Sequence, residues 1–264
     1  MTTDETALDI AHAAMQAAPG DDAARLRFFE RVADSELFLL LAREPEGETL
    51  EPETFDVTGG RFVLAFDRED RLARFVGRIA PYAALSGRVI AGMLAGQGLG
   101  LGLNLEVAPS SILIPSDAVD WLNETLGQAP DQIEAHIDRV APPGGMPEML
   151  LTALDAKLAT ATGLAHSAYL VGVTYDHGGQ GHMLAFVDAL DGAQSALAQA
   201  VSEALTFSGV EAGALDVGFF TAADPVAARL AATGLRFDLP QIVPMSPPTP
   251  VAPGSDPTKP PILR

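Results

Sequence analysis

PYAALSGRVIAGMLAGQGLGLGLNLEVAPSSILIPSDAVDWL, residues 81–122, decides how this chain folds. Residues 82–85 are a short apolar run of strand length, and Ser86 stands where a helix N-cap is expected, with the helix running to about Gly96. In LGLGLNL, residues 99–105, strand alternation puts Leu99, Leu101, Leu103 and Leu105 on one face and Gly100, Gly102 and Asn104 on the other. Glycine weakens a strand interior, so a nearly bare face predicts close approach by another backbone, a ligand or a partner chain. Gly98, Gly100, Gly102 and Asn104 are therefore the candidate partner or close-packing face. Residues 111–114 read as a further strand, and Pro115 with Asp117 opens a helix to Leu126 that carries the only tryptophan, Trp121.

Upstream, residues 8–17 and 21–34 read as helices, the second started by Asp21 and Asp22. Residues 37–42 and 61–66 are apolar runs of strand length, separated by an acidic connection at 43–56, and 69–77 is helical. Residues 1–127 thus form an α/β domain with two leading helices. Residues 128–145 form a linker holding a strand at 133–140, with the boundary at Pro142 to Gly145. Downstream, 147–160 is an amphipathic helix whose apolar stripe includes Met149, Leu150, Ala153, Leu154, Lys157 and Leu158. Tyr169, Val171, Val173 and Tyr175 share one face of a strand, which turns at GGQG, residues 178–181, into a returning strand at 183–190. A helix at 192–207, a strand at 215–220 and a helix at 225–232 give residues 146–239 an αββαβα order. The expected fold class is α/β (α+β): two small mixed-sheet domains with helices packed on the sheets. A tail at 240–264 holds 9 of the 20 prolines, for which polyproline II or disorder is expected.

The chain has 264 residues, 48% of them hydrophobic, and a net charge of −19. Such a surface opposes binding to nucleic-acid phosphates or anionic lipid. The absence of cysteine excludes disulfides, thiolate metal sites and cysteine nucleophiles. The N-terminus carries Asp4, Glu5 and Asp9 in place of a basic, apolar leader, and the longest uncharged apolar run, 89–105, has 17 residues and five glycines, short of the roughly 20 a span requires. A cytoplasmic protein without membrane contact is expected.

Few residue constellations suggest chemistry. Arg78, Tyr82, Ser86 and Arg88 surround a helix start, where forked donors and the helix dipole favour a carboxylate or phosphate. Asp176, His177 and His182 flank the GGQG turn and form a weak candidate for a divalent metal. The alternating glycines at 96–102 match neither GxGxxG nor a P-loop, and GxSxG and HExxH are absent. Glu44, Glu46, Glu48, Glu51, Glu53 and Asp56 do not follow a calcium-loop order and read as a solvated connection. The tail carries PxxP matches at 244–247, 247–250, 250–253 and 257–260, which arise easily where proline is dense. No cofactor is expected.

Two stretches carry a family resemblance. Residues 81–122 resemble the N-terminal domain of the SseB (enhanced serine sensitivity) family, and LDVGFFTAADPVAARLAATGLRFD, residues 215–238, resembles its C-terminal domain. The match covers roughly residues 36–238 and leaves out the leading helices and the Pro-rich tail. The resemblance implies a two-domain cytosolic bacterial protein with no enzymatic activity or catalytic residues to carry over. The expected role is a non-catalytic protein-interaction or regulatory module that engages a protein partner or a second copy. The alternative is a small-anion or metabolite sensor, or an enzyme, with its site in the domain cleft.

Overall fold

A computed structural model describes residues 5–45, 47, 49–57, 59–128, 137–176, 178–209 and 215–241. The Pro-rich tail beyond Gln241, residues 133–136 of the expected linker strand, His177, Glu46 and Glu48 lie outside the described residues.

The first unit runs α1 (Ala7–Ala17), α2 (Asp22–Asp34), β1 (Glu36–Leu40), β2 (Thr54–Val57), β3 (Gly60–Phe66), α3 (Glu69–Val76), β4 (Tyr82–Ser86), α4 (Gly87–Leu94), β5 (Leu99–Leu103), β6 (Ile112–Ile114) and α5 (Ser116–Leu126). Thr6 and Asp9 cap α1 reciprocally, and the Asp21 carboxylate accepts from the Ala23 N–H to start α2. Gly77 ends α3 in the left-handed conformation that glycine adopts without strain. The strand order is β4-β1-β3-β5-β6, with β2 paired to the N-terminal half of β3. β3 and β5 are parallel, and the other neighbours are antiparallel. Leu37, Leu39, Val63, Ala65, Leu101 and Leu103 face the main core beneath α1, α2, α4 and α5. Leu40, Leu64 and Phe66 face the other way, onto Leu72 of α3.

The second unit runs β7 (Ile137–Ala141), α6 (Glu148–Leu158), β8 (Ser167–Tyr175), β9 (Gln180–Val187), α7 (Gln194–Phe207), β10 (Leu215–Phe220), α8 (Pro225–Thr233) and β11 (Leu235–Asp238). The order is β10-β9-β8-β11, and β7 pairs with the end of β8 that β11 leaves free. Ala168, Leu170, Leu184 and Phe186 pack under α6 and α7, while Tyr169, Val171, Val173, Met183 and Ala185 pack under α8. The α/β class with two sheet-based domains is as expected. Three details differ. β2 forms inside the acidic connection because Phe55 pairs with Phe62 in a hairpin turned by Gly59 and Gly60, both at positive φ. β7 joins the second sheet, so that sheet begins upstream of the boundary expected at Pro142. β11 adds a strand after the last expected helix. No helix among the described residues is long and apolar enough to cross a membrane.

The units share a continuous interior. Phe207, at the end of α7, is fully buried in the first unit's core and meets Trp121 edge-on, with Trp121 in turn edge-on to Phe29. Gly209, at φ +67, follows it so closely against α2 that a Cβ would lie 2.9 Å from the Ala23 Cβ.

Candidate functional site

The glycine face of β5 is filled from within its own sheet. A Cβ on Gly100 would fall 2.4 Å from the Phe62 ring, and one on Gly102 would fall 2.6 Å from Leu64. The bare face therefore seats large side chains of the parallel neighbour β3. Asn104, fully buried at φ 50, donates to the Ser110 hydroxyl and accepts from the Asp67 N–H. Gly98 is exposed in the turn before the strand, at φ +65.

The four residues expected to gather an anion are separated. Arg78 is exposed in the turn after α3. Tyr82 projects from β4 onto Phe38, ring centroids 5.5 Å apart, and its hydroxyl bonds Glu69, which raises its pKa. Ser86 occupies the N-cap position of α4, but its side chain makes no capping bond. Arg88 is drawn elsewhere because of Gly87: a Cβ there would lie 1.9 Å from the Val32 carbonyl oxygen, so only glycine lets α4 start against α2. This approach delivers the Arg88 guanidinium to Asp34 (2.6 Å) and, bidentately, to Glu203 of α7 (3.1 Å on both oxygens).

Arg88 thus belongs to a charge cluster that closes the seam between the units. Lys157 of α6, 6% exposed, stands 2.7 Å from Asp34 Oδ2, 2.7 Å from Glu203 Oε2 and 3.4 Å from Glu30 Oε1. A compact ammonium with three donors suits three carboxylates that converge from two helices. Burial alone would lower the Lys157 pKa, but the surrounding carboxylates raise it. Burial would likewise raise Glu203, yet its bonds from Arg88 and Lys157 hold it low. Glu30 moves the other way: burial dominates, Lys157 opposes it, Asp34 adds repulsion, and the pKa rises. Its Oε1 is buried without a hydrogen bond. Lys157 was visible in the sequence as a lysine inside an apolar helical stripe. The three carboxylates had no comparable mark.

A second buried cluster lies within the first unit. Arg71 of α3 reaches Asp9 of α1 at 2.6 Å and Asp67 at 2.9 Å, all three nearly inaccessible. Burial would raise the Asp9 pKa, but bonds from Arg71, Ser110 and the Thr6 N–H outweigh it and hold the carboxylate far below its ordinary range. His12, one turn further along α1, is buried and its pKa is lowered by that burial.

At the β8–β9 hairpin, His182 Nε2 lies 3.0 Å from the Gly144 carbonyl and Asp176 is exposed. No group of three metal-ligating side chains gathers among the described residues.

One edge is open. The bonds Gly87 N–H to Ser35 O and Leu41 N–H to Pro81 O bracket the β1–β4 pairing. Because antiparallel pairs alternate between bonded and non-bonded, Tyr82 and Ala84 turn their backbone N–H and C=O groups outward, and Ser86 its N–H, its carbonyl standing at the N-cap of α4. Ile79, 99% exposed, stands three residues before this edge, and Val89 is exposed on α4 just after it.

No protein-family model matches the chain, and no curated protein or solved structure matches it.

Proposed function

We propose that this chain is a non-catalytic interaction or regulatory protein of the SseB type, acting in the cytoplasm, and that its partner adds a strand to β4. The observation that carries the reading is the outward row of peptide groups on Tyr82, Ala84 and Ser86 beside the fully exposed Ile79. Natural edge strands are ordinarily protected by charge, proline or a covering element, and strand addition is a common way to bind an extended segment. With a net charge of −19 on this chain, the fitting partner is a protein with a basic extended segment. The resemblance to SseB supports the same reading, since residues 81–122 and 215–238 form the continuous runs β4–β6 with α5 and β10–β11.

Ala84→Pro tests it. The substitution removes an outward N–H that the sheet does not use, so the fold keeps its own bonds while strand addition is blocked. Quantitative mass spectrometry of proteins retained from the native host by the tagged full chain is expected to show a near-stoichiometric partner that is lost from Ala84→Pro and Ile79→Asp at unchanged melting temperature. A partner retained by both variants, or lost only when the chain ends at Leu239, overturns this surface.

A further inference from the structure

The second sheet holds a groove that the strand-addition reading does not use. Its floor follows from register. Arg139 of β7, Thr174 of β8 and Gln180 of β9 are cross-strand neighbours, as are Ala141, Gly172 and His182 in the next row. Directly paired residues project to the same face, which here is the face carrying α6 and α7. Those helices cover Leu170 and Leu184 and stop short of these two rows, leaving a groove of about 700 Å³.

The groove wall is fixed by the chain after β7. A Cβ on Gly172 would lie 3.3 Å from the Pro142 carbonyl oxygen, so glycine there lets the backbone cross the sheet, and His182 Nε2 meets the Gly144 carbonyl. What remains in the groove is a guanidinium, a hydroxyl and an amide in one row. One carboxylate also lines the groove, that of Asp216 at its β10 side. There it lies across Gly181 and accepts a short bond from the Tyr175 hydroxyl, whose pKa is raised by burial and then by that carboxylate.

Arg139 differs from the cations at the two clusters. Arg71 and Arg88 are each held by two carboxylates, whereas Arg139 has no ion-pair partner among the described residues. On a chain with 35 acidic and 16 basic residues, a guanidinium without an ion-pair partner among the described residues, set in a concave recess beside a hydroxyl and an amide, has its charge available to an incoming anion. The overall negative field is screened beyond about 8–10 Å at physiological salt, so contact chemistry decides recognition there.

We infer that this groove binds a small molecule through a carboxylate or phosphate group, with Arg139 as the principal contact and Thr174 and Gln180 as flanking donors. A guanidinium offers paired N–H donors in the geometry that either oxyanion accepts bidentately.

The test is ¹H–¹⁵N NMR titration of the full chain with inorganic phosphate and, separately, with succinate, at constant ionic strength set with chloride. The expected result is saturable shifts confined to the amides of Arg139, Gly172, Thr174, Gln180 and His182 with at least one probe. Which probe saturates distinguishes phosphate from carboxylate. Arg139→Ala is expected to weaken that binding roughly 10- to 100-fold, the range for losing a charge-assisted bond. Arg139→Lys is expected to recover only part of it, since an ammonium lacks the fork. Arg139 is exposed, so both variants are expected to melt with the parent, which separates lost binding from lost fold. Shifts that stay linear with both probes, or saturable shifts that persist in Arg139→Ala, overturn the inference.

Discussion

The two buried ion clusters carry the same formal excess of one negative charge, yet a carboxylate in each moves the opposite way: Asp9 falls and Glu30 rises. Inside the first unit, Asp9 and Asp67 share Arg71; across the seam, Glu30, Asp34 and Glu203 share Arg88 and Lys157. What separates them is neutral donors. The spare lone pairs of Asp9 take the Ser110 hydroxyl and N–H and the Thr6 N–H, and Asp67 takes the Thr6 hydroxyl at 2.6 Å. At the seam the one neutral side-chain donor among the described residues is Gln199, which goes to Glu203, and Glu30 Oε1 is left with none. A buried carboxylate stays ionised when hydrogen bonds replace its water, whatever the local charge count. Asp9 therefore lies low and Glu30 high.

The largest effect comes from breaking the satisfied cluster. Arg71→Met leaves two carboxylates buried without a cation, and such losses cost about 3–5 kcal/mol. Urea unfolding is expected to show that loss, and Asp9→Asn combined with Arg71→Met to return part of it. Lys157→Met attacks the other cluster at its hub. Its cost is expected to be smaller, about 2–3 kcal/mol against the fully buried figure, because Arg88 remains and its side chain is partly open to water. The qualitative difference is cooperativity. Calorimetry of Lys157→Met is expected to split one unfolding transition into two as the seam loosens, while Arg71→Met lowers the single transition without splitting it.

The same contrast explains what was legible in the sequence. Strands and helices carried by local pattern were readable: the Leu/Gly alternation of β5, the Tyr/Val face of β8 and the Pro-started α8 all follow from period and caps. β2 and β7 were not, because each is stabilised by a neighbour supplied from elsewhere in the chain. Topology was hidden for a related reason. With α1, β2, β6, α5 and β7 set aside, both units run helix, strand, strand, helix, strand, helix, strand, and both build a four-stranded core with the same directions, β4-β1-β3-β5 and β11-β8-β9-β10. Yet the third strand goes to opposite edges: β4 lies beyond β1, whereas β10 lies beside β9. Right-handed crossovers that travel opposite ways across a sheet leave their helices on opposite faces. Accordingly α3 packs on the face away from α2, and α7 shares the face of α6. Local propensity is nearly silent on that choice. Site residues fared similarly. Arg88 was singled out for its place at a helix start, but its partners Asp34 and Glu203 lie 54 and 115 residues away. Arg139 has its groove only once β7 pairs with β8.

The smallest expected effect is the most diagnostic of the comparison. Glu30→Gln keeps the shape of the side chain, removes the excess negative charge at the seam and gives the cluster a neutral donor in its place. The folded protein binds the Glu30 proton more tightly than the unfolded chain does, so this group lowers stability as pH rises from its ordinary value of 4.5 through the raised folded value. Asp9 and Glu203 act oppositely: their lowered pKa values add stability above the ordinary carboxylate range, and it is lost as pH falls through the folded values. At neutral pH, Glu30→Gln is expected to be neutral or stabilising by up to about 1 kcal/mol, since replacing an unsatisfied buried charge removes a desolvation cost. Its stability-versus-pH curve is expected to lose the decline just above pH 4.5 and to keep the acid-side loss due to Asp9 and Glu203. Urea unfolding across that pH range measures both. A clear loss of stability at pH 7 would show that the Glu30–Lys157 attraction outweighs the burial of the carboxylate, and the two clusters would then obey one rule instead of two.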